Sequence, residues 1–473
     1  MDLAAAPGAQ LASMTATDWL MDIKEFGDLD RQPGRLMVWR INVTEPISWR
    51  ADPRRPSYVQ EEHLRSADDG RPGWLGAAFE LPGELNAAAL TKAILGWVDR
   101  HEVLRSRLAK DGSAMRRATI DPGAAALEQT VVSDCADSGE TAQLLEKLFD
   151  AETNPLRWPA YVFVTISRPT STSLLLASDH SVSDAYSMAL VPYEIHELYT
   201  AAIRRVEPQL AAVHSYLDHA EAERERLTDL TDDHPAICHW RELIAANGGQ
   251  LPDFPLSFDT PEKSLQRSGK MWLLDAAGAC EFDRGCRSQG GNAATGIFAC
   301  LALAGKTLAN QRQFHAVAPF HTRYDLRSMR SVGWYVGMSP VSFRVADTLP
   351  EILNAARFEL KRAKKTAQVP FSKAMELLGT TLRDRFMVSY MDNRTVPGSD
   401  RWPHWRTRFL ISRSSDACET YLWISRWQDG ISVNFRHPGT ATARSAMDNY
   451  LAEVAAQAHL ISGARPLPRL SID

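Results

Sequence analysis

The residues with the clearest potential for chemistry lie in the segment Leu174–Asp184. An apolar run at 174–177 leads into a polar cluster that contains His180 and, four residues later, Asp184. Histidine titrates near neutral pH, so an imidazole at the end of a strand can take a proton from a substrate. The segment therefore predicts a general base at His180. The alternative interpretation is a buried histidine that only stabilises the core.

The flanking pattern indicates which elements hold this segment. Two successive strands are predicted at 161–166 and 172–177, and a long helix from Ala185 to Arg204. Asn86 is a plausible N-cap for a helix at 87–101. The same reasoning predicts strands at 74–81, 271–274, 314–319, 386–390, 421–427 and 430–435, helices at 58–66, 139–150, 215–229, 293–310, 349–365 and 443–460, and a loop at 331–340.

Composition restricts the class of protein. The chain has 473 residues, of which 44% are hydrophobic and 23% charged, as in a globular protein with two domains of similar size. Its net charge of −5 predicts no broad basic surface for nucleic acid. The sequence contains no run of 18 apolar residues, so no membrane span is expected, and the N-terminus does not resemble a signal peptide. Thirteen tryptophans suit either a pocket for an extended ligand or a packed core.

The cysteines give no sign of a metal site or a disulfide framework. They form no CxxC pair and have no metal-type spacing with histidine, which favours a reducing cytoplasm. The six residues are Cys135, Cys238, Cys280, Cys286, Cys300 and Cys418.

Helices and strands alternate in both halves of the chain, which predicts an α/β protein made of two sandwiches. No sequence repeat proves that one half copies the other. We expect a flexible N-terminus at 1–16, an N-terminal subdomain at 17–220 that carries His180, and a C-terminal subdomain at 221–473. The charged helix at 215–229 would connect the two halves.

Three blocks in order resemble the condensation-domain superfamily, which includes nonribosomal peptide condensation domains and chloramphenicol acetyltransferase-like enzymes. Residues 100–107, Arg-His-Glu-Val-Leu-Arg-Ser-Arg, are similar to its RHxxLR stretch. His180 and Asp184 match its HxxxD signature, and residues 333–337, Gly-Trp-Tyr-Val-Gly, lie where it carries DFGWG. Tyr199 follows Asp184 after fourteen intervening residues, as in the mycobacterial polyketide-associated acyltransferases.

Finer details are similar to the branch of these acyltransferases that acylates trehalose sulfate. They lie at 55–58, 247–255 and 332–340. Peptide condensation domains usually carry two adjacent histidines, whereas Asp179 takes the first position here, and Ala185 replaces the usual glycine. Ser331-Val332 replaces the Asp-Phe pair of DFGWG. The changes at Asp179 and Ala185 favour an ester-forming enzyme over an amide-forming one.

The resemblance implies two chloramphenicol acetyltransferase-like subdomains that form a V with a tunnel between them. It implies an O-acyltransferase that moves a fatty or polyketide acyl group from acyl-CoA or an acyl carrier protein to a carbohydrate hydroxyl, such as one of trehalose or its sulfate. Transfer would be direct, with no permanently bound cofactor and no metal, in a cytoplasmic monomer that associates at most peripherally with membranes. An acyl carrier protein or a polyketide synthase is a possible partner. The alternatives are a free-standing condensation enzyme that forms an amide or ester bond, and a non-catalytic relative that docks carrier proteins.

Several further residues are candidates for roles, some from this resemblance and some from their position in the sequence. Asp184 would orient the His180 loop through an arginine, either Arg323 or Arg327. The candidates for the tunnel or its loops are Tyr199, Gly333, Trp334, Gly337, Ser389 and Arg323. For Tyr199 the alternative is packing. Ser389 could be an oxyanion donor or have a purely structural role. His101 and Arg105 suit a structural helix end, His321 and His404 have no assigned role, and Gly290–Asn292 could bind a phosphate at a helix N-terminus.

Overall fold

The computed structural model describes residues 23–24, 34–43, 49–66, 73–112, 114–135, 138–259, 265–413 and 419–463. The flexible N-terminus expected at 1–16 and Cys418 lie outside these ranges.

The first half of the chain contains these elements: β1 (Ile23–Lys24), β2 (Gly34–Val43), β3 (Arg50–Asp52), α1 (Tyr58–Ser66), β4 (Trp74–Pro82), α2 (Ala87–Arg100), β5 (Ser106–Asp111), β6 (Ala114–Thr119), β7 (Ala125–Cys135), α3 (Ser138–Glu152), β8 (Tyr161–Ser167), β9 (Ser171–Asp179), α4 (Ala185–Arg204) and α5 (Tyr216–Arg226). The second half contains α6 (Pro235–Ala246), β10 (Gln266–Asp275), α7 (Ala276–Ser288), α8 (Ala293–Ala309), β11 (Gln313–His321), β12 (Val336–Arg344), α9 (Leu349–Thr366), α10 (Phe371–Leu377), β13 (Phe386–Asp392), β14 (Arg408–Ile411), β15 (Thr420–Trp427), β16 (Gly430–Pro438) and α11 (Ala441–Ser462).

The first sheet positions the His180 segment. Within the described residues it has seven strands in the order β1-β14-β4-β9-β8-β2-β7. The strand β9, which ends at Asp179, pairs antiparallel with both β4 and β8 and is buried along most of its length. Helices α2 and α4 pack over one face and α3 over the other, so apolar side chains cover both sides of the sheet. The end of β9 is therefore held rigidly in the centre of this sheet.

The second sheet has six strands among the described residues, in the order β10-β16-β15-β13-β11-β12. Helices α7, α8, α9 and α11 bury their apolar faces against it and form the second main core. Each half thus combines a mixed sheet with packed helices, as the alternation of helices and strands predicts.

One segment of the second half belongs to the first sheet. The strand β14, Arg408–Ile411, pairs antiparallel with β4 at 75–78. Trp402 and Trp405, which precede it, lie in the core of the first half. The chain therefore crosses from the second half back into the first sheet. The subdomain boundary expected at residue 220 stays a prediction.

The strongest local signals gave accurate elements. Helices α1 and α4 begin and end at the predicted residues, and Asn86 caps α2 by accepting a hydrogen bond from the backbone of Ala89 at 2.9 Å. The predicted loop at 331–340 is wrong in its second part, because β12 begins at Val336. Gly337 and Pro340 weaken the strand signal, but β12 is an edge strand, where proline is tolerated.

Helices α6, α7 and α10 have no counterpart among the predicted elements. Within the described residues no single helix has the length and apolar character needed to cross a membrane. The bent pair α7 and α8, which meet at 91°, passes that test together by length and composition.

Candidate active site

His180 begins a single helical turn, His180–Val182, directly after β9. The carboxylate of Asp179 caps this turn by accepting a hydrogen bond from the backbone N–H of Ser181 at 2.7 Å. The backbone N–H of His180 donates to the carbonyl oxygen of Gly73 at 3.0 Å, which ties the turn to the start of β4. The position of the imidazole is thus fixed by hydrogen bonds of the backbone on both sides.

Asp184 is fully buried and forms an ion pair with Arg323, one of the two arginines that the sequence suggests. Arg323 donates from Nη1 to Oδ2 at 2.8 Å and from Nη2 to Oδ1 at 3.0 Å. The two side chains are 1% and 0% exposed, so the pair is shielded from water. Burial alone would raise the pKa of the Asp184 carboxyl, but the Arg323 charge and hydrogen bonds hold it below its ordinary value.

Asp184 also joins the two halves of the molecule. It caps α4 by accepting a hydrogen bond from the N–H of Ser187 at 2.7 Å, and it accepts another from the N–H of Tyr335 at 3.0 Å. Ser187 in turn donates to the carbonyl oxygen of Gly333 at 2.9 Å. The HxxxD turn and the Gly-Trp loop are therefore one buried polar network, and Ser187 is a member that the sequence motifs did not indicate.

The glycines of the Gly-Trp loop are required by close contacts. A Cβ atom at Gly333 would overlap the ring of Tyr216, and one at Gly337 would overlap the carbonyl oxygen of Ala367. A larger residue at either position would displace the loop from α5 or from the end of α9. The loop role expected for both glycines agrees with these contacts.

A cavity of about 670 Å³, here called the central cavity, lies where the two sheets meet. Its wall combines α1, the start of β4, His180 and the start of α4 with residues of α10, β12, β13, β14, β15 and β16. His180, Trp334 and Ser389 line it, together with many Met, Leu, Ile and aromatic side chains. Four of the thirteen tryptophans belong to this wall, and others, such as Trp97 and Trp240, are core residues.

Within the central cavity, His180 stacks on Trp334 with 3.9 Å between the ring centroids and 29° between the planes. Burial lowers the pKa of His180 to about 4, and the charge of His63 acts in the same direction. The carboxylates of Asp179 and Asp184 oppose this shift. The ring is consequently neutral at pH 7, as a proton acceptor must be.

Tyr199 is not a tunnel residue, which corrects that expectation. It is 1% exposed in the first core, and its hydroxyl oxygen accepts a hydrogen bond from the backbone N–H of Asn86 at 3.0 Å. Its place on the inner face of α4 makes it a packing residue between two helices. These contacts agree with the alternative expected for Tyr199, which is packing.

His101 connects the Gly-Trp loop to a buried carboxylate. Its Nε2 lies 2.7 Å from an oxygen of Glu194, and the backbone N–H of Val332 donates to its Nδ1 at 3.3 Å. Arg105 donates to the carbonyl oxygen of Ile120 at 2.6 Å. These contacts fit the structural role expected for both residues, and Glu194 was missed because it lies on α4 outside every motif.

The remaining candidates lie away from the central cavity. His321 and the N-terminus of α8 line a separate cavity of about 460 Å³. The backbone N–H of Asn292 donates to Oγ1 of Thr295, and its Oδ1 accepts from the N–H of Thr295. Phosphate binding at Gly290–Asn292 stays a prediction. His404 is exposed. The four cysteines with described side chains, Cys238, Cys280, Cys286 and Cys300, are unpaired and do not line the central cavity.

The protein belongs to the condensation-domain family. The model of that family matches residues 72–387, which include His180, Asp184 and the Gly-Trp loop. The fold class expected from the sequence, two chloramphenicol acetyltransferase-like subdomains, is confirmed by structures of the same fold.

Proteins that are similar over nearly the whole chain are named as acyltransferases. Trehalose-2-sulfate acyltransferase PapA2 of Mycobacterium tuberculosis is 26% identical over 455 residues, which cover 92% of this chain and 96% of that protein. Acyltransferase PapA3 of the same organism is 24% identical over 450 residues, which cover 89% and 94% of the two chains. The name of the first of these relatives agrees with the branch that the sequence resembles.

Solved structures show the same architecture. A structure of the PapA2 acyltransferase superposes with a TM-score of 0.85 at 24% identity and covers 93% of this chain and 100% of that chain. The first condensation domain of the CDA synthetase superposes with a TM-score of 0.68 at 17% identity, covering 85% and 95%.

Proposed function

We propose that the protein is an O-acyltransferase that moves a fatty or polyketide acyl group from an acyl thioester to a hydroxyl of a carbohydrate such as trehalose or its sulfate. The observation that carries this proposal is the neutral His180 ring in the wall of a largely apolar cavity between the two halves. An apolar cavity suits an acyl chain, and a neutral imidazole suits a hydroxyl group that must lose its proton. The names of the relatives support the same activity.

In this mechanism His180 is the general base. Its ring accepts the proton of the acceptor hydroxyl while that oxygen forms a bond to the thioester carbonyl carbon. The C–S bond then breaks, and the imidazolium returns the proton to the thiolate sulfur, so that thioester and alcohol become ester and thiol. The carboxylates of Asp179 and Asp184 favour the protonated ring, which stabilises the intermediate charge.

The donor in this proposal is a substrate, either acyl-CoA or an acyl group on the phosphopantetheine of a carrier protein. Direct transfer requires no covalent acyl-enzyme. Burial raises the pKa of the Cys286 thiol to about 12 and holds that of Cys300 well above its ordinary value, so neither is a nucleophile at pH 7. We expect a monomer that acts in the cytoplasm, receives its donor from coenzyme A or from a polyketide synthase, and touches membranes at most peripherally.

Thioester consumption tests this function. Purified protein is mixed with palmitoyl-CoA and either trehalose, trehalose sulfate, glucose or an amine, and both free thiol and acylated product are measured. We expect sugar-dependent thiol release, and a loss of about 10²- to 10⁴-fold in His180→Ala because the proton acceptor is removed. His404→Ala is the matched control, since His404 is exposed and lies outside the central cavity.

Two results would contradict the proposal. His180→Ala that acylates sugars at the wild-type rate would exclude the general base. Acylation of amines alone would favour a free-standing condensation enzyme of the peptide-forming type.

A further inference from the structure

His63 brings a second imidazole to the central cavity. It lies on α1, and among the residues that line this cavity it and His180 are the two histidines. Both rings contact the indole of Trp334: His180 stacks on it, and His63 meets it edge to face with 5.4 Å between the centroids. The two imidazoles therefore belong to one site, although 117 positions separate them in the sequence (180 minus 63).

Asp179 holds this second ring. The Nε2 atom of His63 lies 3.0 and 2.9 Å from the two carboxylate oxygens of Asp179. The Asp179 side chain is 2% exposed and that of His63 is 19% exposed, so the carboxylate is covered while the ring reaches the cavity. Within the described residues Nδ1 of His63 has no hydrogen-bond partner, so this nitrogen is available to a ligand.

The backbone fixes His63 relative to His180. On α1, Gln60 donates from Nε2 to the carbonyl oxygen of Ser181 at 2.6 Å, which joins the helix to the His180 turn. A Cβ atom at Gly73 would lie 2.9 Å from Cε1 of His63, so only glycine allows the ring to approach this closely. The arrangement of the two imidazoles is thus built into the fold.

Polar groups continue along the same wall. Ser372 lies on α10, which packs against α1, and its Oγ is buried without a hydrogen-bond partner in the described part of the chain. Glu62 lies next to His63 and has a carboxylate that is 59% exposed. A buried hydroxyl without a partner costs free energy unless a ligand or water satisfies it. Elsewhere the lining of the cavity includes Met387, Met391 and other apolar side chains, with further polar groups such as Asn434 and Arg436 on β16.

We propose that His63, Glu62 and Ser372 form an acceptor subsite, which binds carbohydrate hydroxyls other than the one that is acylated. This inference rests on the proposed function. An imidazole nitrogen, a carboxylate and a hydroxyl can each pair with a sugar hydroxyl, whereas an acyl chain offers them no hydrogen bond. The subsite turns the acceptor so that one hydroxyl faces His180, and the apolar part of the cavity is left to the acyl chain.

Steady-state kinetics with two acceptors test the subsite. With trehalose, we expect the acceptor KM to rise about three- to tenfold in Ser372→Ala and at least about tenfold in His63→Ala, since each variant removes hydrogen bonds to the sugar. In Ser372→Ala, the KM for palmitoyl-CoA and the rate with hexanol, which has one hydroxyl, should stay within about twofold of the wild type. In His63→Ala, the loss with trehalose should exceed the loss with hexanol, because His63 also neighbours the base His180. His404→Ala is again the control, because His404 is exposed and does not line the cavity.

The outcomes separate this proposal from its alternatives. Equal losses with trehalose and hexanol would overturn it and would make His63 a positioning residue for His180. Ser372→Ala breaks no hydrogen bond of the described residues, so its fold should persist, and an unchanged trehalose KM would also overturn the subsite. A wild-type enzyme that acylates no sugar would contradict the proposed function instead. In that case, calorimetric titration with trehalose still decides, and equal affinity of wild type and Ser372→Ala would exclude the subsite.

Discussion

Two buried carboxylates flank His180, and they differ in their partners. Asp184 pairs through two hydrogen bonds with the buried guanidinium of Arg323. Asp179 binds the imidazole of His63, which lines the cavity. Both carboxylates also cap a helical turn through a backbone N–H. Their local geometry is therefore alike, and the partner side chain makes the difference.

The difference separates structure from function. A guanidinium is charged at every pH at which proteins fold, so the Asp184–Arg323 pair is a permanent link between α4 and the Gly-Trp loop. An imidazole can gain or lose a proton and can contact a substrate, so the Asp179–His63 pair is suited to the cavity. The Asp184–Arg323 pair stabilises the site, whereas the Asp179–His63 pair places an imidazole in the wall of the cavity.

Asp184→Asn should have the largest effect on stability. The amide keeps the size and the cap, but it leaves the fully buried Arg323 without an opposing charge, and its NH₂ group faces other donors. We expect the free energy of unfolding to fall by about 3–5 kcal/mol. Urea unfolding measures this, and a loss below that of Asp179→Asn would reverse the comparison of the two carboxylates.

Acid should destabilise the fold because His180 is buried. We expect this loss of folding stability to be smaller than that caused by Asp184→Asn. Burial lowers its folded pKa to about 4, whereas the unfolded side chain has an ordinary pKa near 6.5. Below pH 6.5 the unfolded chain therefore binds a proton that the folded protein does not, and stability falls as the pH approaches 4.

Between pH 7 and pH 5 we expect His180 to contribute roughly 2 kcal/mol of this loss. Urea unfolding at both pH values checks it, with His180→Asn as the variant that lacks the titrating ring. If wild type and variant lose the same stability over this interval, then the two carboxylates outweigh burial at His180.

Asp179→Asn should have the smallest effect on folding. The amide oxygen can still accept the hydrogen bond from Ser181, and the neutral form of His63 can accept one from the amide NH₂ group. We expect a loss of about 1–2 kcal/mol, from replacing a charge-assisted hydrogen bond by a neutral one. Urea unfolding measures this loss. The acceptor KM is measured beside it, and its change, expressed as a free energy, should exceed the loss of folding stability. A loss as large as that of Asp184→Asn would show that both pairs are mainly structural.

Local signals explain which parts of the fold could be predicted. Helix α4 runs from Ala185 to Arg204 as expected, because Asp184 is a good cap and the apolar spacing is regular. Helix α7 was missed, since it contains Gly278 and Gly285, which weaken helix formation. Its glycines are explained by packing: a Cβ atom at Gly285 would overlap the backbone of Ile461 on α11. Such a contact cannot be read from a local pattern.

The candidate site shows the same division. His180, Asp184 and the Gly-Trp loop carry motifs, so their residue types and order suffice to indicate them. His63, Ser187, Glu194 and Ser372 carry none, and each is found only through a contact with a residue far away in the chain.

Residue types and short spacings were enough to indicate the family, the helices with strong caps and periodicity, and His180 as the candidate base. These features depend on neighbours within a few positions, where residue types and spacing carry the information. Three features became visible only in the folded chain: β14 crosses into the first sheet, Arg323 rather than Arg327 pairs with Asp184, and Asp179 faces His63. Each of these depends on which distant segments pack together, and no local pattern of residues specifies that choice.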